Sequence, residues 1–256
     1  MSRIKIHQLA CLSDNYGYLV HDKASGATAS IDTPEVGPIL KALDERGWKL
    51  THILNTHHHP DHAGGNAELK ARFNCLVIGP RGELDLIPTI DRPVGEGDIV
   101  ELGDAHARVI DVPGHTRGHI AYHFADEKVV FVGDTLFALG CGRLFEGTAG
   151  QMWSSLGKLM ALPDDTCVYC AHEYTQSNAR FAVTVEPQNK ALLARAKEID
   201  EKRARNEWTV PSTIGLERAT NPFLRAMSPD LRATLHLETA TNVDVFAETR
   251  RRKDNF

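Results

Sequence analysis

Residues 56–66 read THHHPDHAGGN and place four histidines and one aspartate within six positions. Histidine is neither a habitual core residue nor one that gathers by chance at this density, so the cluster points to metal ligation. His57 and His59 are two apart, close enough to chelate one ion from an extended stretch. Asp61 and His62 follow around Pro60, and Gly64–Gly65 allows a tight backbone turn. Imidazole nitrogens beside a carboxylate suit zinc, iron or manganese.

Three later segments repeat one arrangement, an apolar run that ends in a candidate ligand. VIDVPGHTRGH leads to His115, VVFVGDT to Asp134 and CVYCAHEYT to His172. Alone, each is an ordinary turn or cap residue. With His57, His59, Asp61 and His62 they make seven donors, enough for two ions. Asp134 is the natural bridge, because a carboxylate has two oxygens to share. Two ions ~3.5–4 Å apart lower the pKa of a water held between them, giving a hydroxide nucleophile at neutral pH. Hydrolysis is the implied reaction class, with Asp61 and Asp134 at its centre.

The elements that must position these donors are legible as short apolar runs. THILNT (51–56), CLVIGP (75–80), ARVIDVPG (107–114), KVVFVGD (128–134) and TCVYCAH (166–172) read as strands. GPILKALDERG (37–47) reads as a helix with Ile39, Leu40 and Leu43 on one face, and AELKARF (67–73) as another capped by Asn66. This mixture suggests an α/β sandwich with His57 just past a strand's C-terminal end, where such folds build sites. After about residue 173 the texture changes. NKALLARAKEIDEKRARNE (189–207) reads as a charged helix, PSTIGLERATNPFLR (211–225) as a loop broken by Pro211, Gly215 and Pro222, and NVDVFAETRRRKDNF (242–256) as a helix capped by Asn242 or Asp244.

The chain has 256 residues, and its 34 acidic against 29 basic residues give a formal charge of −5. That balance argues against broad binding to a phosphate backbone. No stretch reaches the length of a membrane span. Five cysteines, at 11, 75, 141, 167 and 170, imply no disulfide framework and favour a reducing compartment, most simply the cytoplasm. Cys167 and Cys170 have the C-x-x-C spacing but lie inside an apparent strand, where positions three apart face opposite ways, so they read as structural thiols.

T-H-x-H-x-D-H followed by single His, Asp and His ligands resembles the metallo-β-lactamase superfamily. That resemblance implies an αββα sandwich carrying the metals at one edge. Carried over residue by residue, it assigns His57, His59 and His115 to one ion, Asp61, His62 and His172 to the other, and Asp134 to both, leaving His58 as the spare. Two divalent ions are expected, zinc first, with iron or manganese as alternatives.

GDTLFALGCGRLFEGT (133–148), AHEYTQSN (171–178), TVEPQNKAL (184–192) and the terminal RRRKDNF resemble the glyoxalase II (hydroxyacylglutathione hydrolase) family over nearly the whole chain. The resemblance implies a metallo-β-lactamase-like catalytic domain at 1–172 and a smaller helical substrate-binding domain at 173–256. It implies hydrolysis of S-D-lactoylglutathione to glutathione and D-lactate, the second step of methylglyoxal detoxification; with the charge and the lack of a membrane-length span, no nucleic-acid, membrane or protein partner is expected.

Arg250 and Lys253, three apart on the last helix, match the positions that hold the glycine carboxylate of glutathione, while Arg251 and Arg252 read as solvated or placed for the helix C-terminus. Arg143 and Tyr174 match further substrate contacts. The family often has Lys at 143 and Tyr at 145. Here Arg143 offers a planar fork and Phe145 lacks a hydroxyl, so Phe145→Tyr should lower KM.

Other readings meet specific obstacles. A single-iron persulfide dioxygenase would not need Asp61, His62 and His172. An RNA phosphodiesterase would want a basic surface, and a β-lactamase would leave the terminal basic pair without a purpose. A purely structural metal site would fill every position with protein ligands.

Overall fold

The computed structural model describes residues 2–256. It opens with an antiparallel pair, β1 (Ile4–Cys11) and β2 (Asn15–Asp22), in which Ile4 faces Asp22 and Cys11 faces Asn15. β3 (Thr28–Ile31) pairs antiparallel with β2. From there the pairing turns parallel through β4 (His52–Leu54), β5 (Leu76–Pro80) and β6 (Arg92–Val94). Parallel neighbours need long crossovers. Two of these are helical: α1 (Val36–Arg46) joins β3 to β4, and α2 (Pro60–Ala63) with α3 (Asn66–Phe73) joins β4 to β5. A second set, β7 (Ile99–Leu102), β8 (Ala105–Asp111), β9 (Ile120–Phe124) and β10 (Val129–Gly133), runs as an antiparallel meander.

The two sets of strands pack face to face. Tyr18 of β2 meets Phe131 of β10 with ring centroids 5.4 Å apart, and the buried Tyr122 hydroxyl of β9 donates to the Asn55 carbonyl at 2.9 Å. On the helix-covered side, Ile39, Ala42 and Leu43 of α1 and Leu69 of α3 pack with Leu9, Leu19, Ile53 and Val77. Each buried Leu, Ile or Val side chain among them contributes roughly 1.5–3 kcal/mol. α1 stops at Gly47, whose left-handed φ of 66° lets its N–H reach the Leu43 and Asp44 carbonyls.

These elements form one compact unit, Met1–Asp111 with Thr116–Gly133. Val112–His115 with Asp134–Phe256 form a second. The second unit begins with a small hairpin, β11 (Leu136–Phe137) and β12 (Gly140–Cys141). α4 (Ala149–Met160) follows, opened by a capping box between Thr148 and Gln151. β13 (Cys167–Cys170) pairs with β14 (Ser212–Thr213), and α5 (Thr175–Val185) and α6 (Lys190–Ala204) lie between them in sequence. α7 (Ile214–Thr220), α8 (Pro229–Leu235) and α9 (Asn242–Asp254) complete the unit. Among the described residues no helix is long and apolar enough to cross a membrane.

Three local expectations change. Residues 211–225 contain β14 and α7, because Pro211 and Pro222 flank the helix without interrupting it and Thr213 caps it through the Leu216 N–H. The residue before α3 is Gly65; Asn66 is helical, and its amide is spent on Asn55, Thr33 and Thr89. The cap of α9 is Thr241, with Asp244 returning the bond as its capping-box partner, while Asn242 accepts from Arg232.

Candidate metal centre and substrate cavity

In the first unit β4 ends at Leu54 and delivers Asn55, Thr56 and His57 beyond the strand. His57 is fully buried. Its Nε2 faces Nδ1 of His59 at 3.1 Å, and its Nδ1 faces the Thr56 hydroxyl at 3.0 Å. Two ring nitrogens in such contact need either one proton between them or a cation held by both lone pairs. Pro60 opens α2, which carries Asp61 and His62 into its single turn. Asp61 accepts from Asn15 at 3.0 Å, and its Oδ2 stands 3.6 Å from His62 Nε2.

The groups behind these donors fix their tautomers. Asp32 Oδ2 lies 2.8 Å from His62 Nδ1, so that nitrogen donates and Nε2 keeps its lone pair. Asp32 also accepts from the Thr56 N–H at 2.7 Å and its hydroxyl at 2.8 Å, locking the start of the histidine loop. His58 meets Glu83 at 3.0 Å through Nδ1. Glu83 is itself buried and accepts from Thr116 and the Gly118 N–H. His119 stacks on His57 with centroids 4.6 Å apart. Asp32 carries the same sequence signal as Asp134, a carboxylate just after an apolar run (TASIDT), and sequence reasoning overlooked it.

In the second unit His115, Asp134 and His172 come together. Asp134 Oδ2 is 3.4 Å from Nε2 of each histidine. His115 donates from Nδ1 to the Arg143 carbonyl at 2.9 Å, so its Nε2 presents a lone pair to a carboxylate oxygen. Facing lone pairs at this distance repel unless a cation or a proton lies against both. The chain therefore offers buried His/Asp donor groups that could hold metal ions, and the donor chemistry fits them. His172 is stacked by Tyr174, centroids 4.7 Å and planes 2° apart. Gly142 is obligatory here, because a Cβ would collide with the Asp134 carbonyl.

The same unit holds a cavity of about 630 Å³ whose walls include every substrate contact expected from the sequence: Arg143, Phe145, Tyr174, Arg250 and Lys253. Phe145 is 62 % exposed, with its ring 5.1 Å from His115. Lys253 donates to the Ser177 carbonyl and hydroxyl, both at 3.2 Å. Burial, then the Arg250 and Arg143 charges, lowers its pKa.

Arg250 differs from the free clamp that its helical spacing with Lys253 suggested. It is only 6 % exposed and donates to the Cys141 carbonyl at 2.8 Å. It also lies over Phe223 and ion-pairs with Asp254. Arg251 and Arg252 both bind Glu248, which holds that carboxyl down at about 2. Burial pushes the Cys141 thiol up to about 11, so it is a neutral wall group. All five cysteines are free. The sequence reading missed Arg180 and Asp254, which also line the cavity.

Buried polar side chains hold the hairpin that forms one wall. Leu139, at φ 58°, donates its N–H to Glu217, and Asn221 donates to the Phe137 and Gly140 carbonyls. Asn178 donates to Ala138, and Arg195 neutralises Glu217.

Residues 22–172 match the family model of the metallo-beta-lactamase superfamily, and residues 173–256 match that of the hydroxyacylglutathione hydrolase C-terminus. A hydroxyacylglutathione hydrolase of Rhizobium meliloti (strain 1021) is 57 % identical over 256 residues, 100 % of both chains. One from Methylococcus capsulatus (Bath) is 57 % identical over 253 residues, 99 % of each. Among solved structures, ETHE1 from Myxococcus xanthus superposes with a TM-score of 0.68 at 25 % identity, covering 97 % of this chain and 98 % of its own. With both segments and the full length matched, the chain belongs to the hydroxyacylglutathione hydrolase family, on the metallo-β-lactamase fold.

Proposed function

We infer that this protein hydrolyses S-D-lactoylglutathione, and related hydroxyacylglutathione thioesters, to glutathione and a hydroxy acid. The observation that carries this reading is full-length identity above half to hydroxyacylglutathione hydrolases, with the helical C-terminal segment included. The proposed domain division, 1–172 catalytic and 173–256 substrate-binding, is supported by the two family models meeting at that point.

In this reading His57, His59 and His115 would hold one ion and Asp61, His62 and His172 the other, with Asp134 offering a carboxylate to both. Zinc is the first choice, because all seven donors are imidazole or carboxylate and zinc accepts both; iron or manganese would fit the same donors. When bound, two such ions supply a water of lowered pKa and positive charge opposite a developing oxyanion. The chain's own residues orient and bind. Asp32 and the Arg143 carbonyl hold His62 and His115 in the tautomer whose Nε2 carries the lone pair a metal would need. Lys253, Arg143, Tyr174 and Phe145 receive the glutathione moiety in the 630 Å³ cavity. A thiol leaves with a pKa near ~8.5, so no dedicated general acid is required. Five free cysteines suit the reducing cytoplasm.

The test is loss of thioester absorbance with S-D-lactoylglutathione. Hydrolysis that disappears on chelation and returns with added zinc is expected. A metal-loaded protein that leaves the thioester intact would sink the reading.

A further inference from the structure

We propose that Asp254 is a specificity residue that receives the free ammonium of the substrate's γ-glutamyl end, with Arg143 taking the adjacent carboxylate. The inference rests on the reading of the substrate as a glutathione thioester, and it names a contact for the one charged group that reading leaves without a partner. Glutathione joined through sulfur still carries two carboxylates and one ammonium. The cavity contains four cations, Arg143, Arg180, Arg250 and Lys253, but apart from the ligand Asp134 its only acidic wall residue is Asp254.

The hydrogen bonds and ion pairs show which of these groups are committed. Arg250 is spent inside the wall, on the Cys141 carbonyl and on Asp254 Oδ1, which its Nη2 approaches to 2.9 Å. Lys253 uses two donors on Ser177 and keeps one. Arg180 is exposed and makes no hydrogen bond or ion pair among the described residues, so it and Lys253 can serve the glycine carboxylate. Asp254 is 40 % exposed, and both of its arginine contacts fall on Oδ1. No hydrogen bond from the described residues reaches Oδ2.

Three features suit an α-amino acid head group. Arg143 Nε stands 3.9 Å from Asp254 Oδ1, too far for a hydrogen bond, so the two present an open pair of opposite charges. A zwitterion whose ammonium and carboxylate share one carbon matches such a pair. Asp254 is also the last residue of α9, at the end where the aligned peptide dipoles of a helix favour a cation. Finally, the cavity's other charges are all positive, so a ligand's ammonium has no other acceptor of full charge outside the metal donors.

The experiment compares kcat/KM for S-D-lactoylglutathione and its N-acetyl derivative, in metal-loaded wild-type protein and in Asp254→Asn. Acetylation replaces the ammonium by a neutral, bulkier amide, and the comparison with Asp254→Asn separates the lost charge from the added bulk. The wild type should prefer the free amine by about three- to fivefold, through KM, as expected for a partly exposed ion pair. That preference should fall close to one in Asp254→Asn and return in part in Asp254→Glu, with thermal midpoints showing that each variant is folded. A preference that survives Asp254→Asn, or a wild type indifferent to acetylation, would overturn the proposal. So would tighter binding of S-D-lactoylglutathione by Asp254→Asn, which would make Asp254 a competitor for Arg250. Failure of the wild type to cleave either thioester would remove the thioesterase reading and this inference together.

Discussion

The histidine loop of the first unit and the cation-lined cavity of the second are built on opposite principles. In the loop, His57 and His62 are buried, and His62 has a carboxylate behind the ring. Short side chains on a turn of fixed geometry leave few alternatives, so their positions follow closely from the spacing of the chain. In the cavity, Arg143 and Lys253 are long, at least partly exposed and able to choose among partners. One expected clamp residue, Arg250, is already consumed by Cys141 and Asp254. Rigid donors are prepaid in folding, whereas exposed cations are assigned only by what happens to stand next to them.

That contrast can be broken at the rigid end first. Asp32→Ala removes the group that sets the His62 tautomer and anchors Thr56, and should weaken metal binding by roughly 10- to 100-fold. Competition against a chromophoric chelator measures this; unchanged affinity would mean that the loop needs no support from behind.

At the exposed end the effects should be smaller. Lys253→Met should raise KM for S-D-lactoylglutathione by about fivefold, with kcat held within about a factor of two. Its pH dependence sharpens the point. Burial and the neighbouring Arg250 and Arg143 charges lower the Lys253 pKa, so the cation is lost at a lower pH than for an ordinary lysine. KM of the wild type should therefore be flat near neutrality and climb on the alkaline side before a free lysine would titrate. The climb should be missing in Lys253→Met, and a climb that persists would assign the titration elsewhere.

The smallest effect belongs to Phe145→Tyr. A restored hydroxyl would contribute about 0.5–1.5 kcal/mol if shielded. At 62 % exposure the low end applies, so KM should fall about twofold. An unchanged or higher KM in steady-state assays would leave the position to apolar contact alone.

Much of the scaffold was legible because its signals are local. The strands at 52–54, 76–80, 105–111, 129–133 and 167–170 sit where short apolar runs end at Gly, Pro or a polar residue. α1 lies on the face that Ile39 and Leu43 announce. Residues 211–225 were misread because Pro and Gly look like breakers until their places in the first turn and the flanks are known. Asp32 shows the strand-end signal of a carboxylate after an apolar run, but the partner of neither Asp32 nor Glu83 can be read from the chain. Each is 20 or more residues from the histidine it supports, and nothing in a single chain records that separation being closed.

By itself, then, the sequence determined the donor types, their spacing in the histidine loop, the strand ends that carry His115, Asp134 and His172, and a family resemblance that runs from end to end. Those follow from short-range geometry, in which a strand of period two and a Pro-Gly turn leave a ligand little room to go elsewhere. Only the tertiary structure decided which tautomer each supported histidine adopts, that Arg250 braces a wall, and that Asp254 stands among the cations with an oxygen to spare. Hydrogen-bond partners and electrostatic environments are set by residues distant in the chain, and burial alone determines which charges are spent and which remain for a ligand.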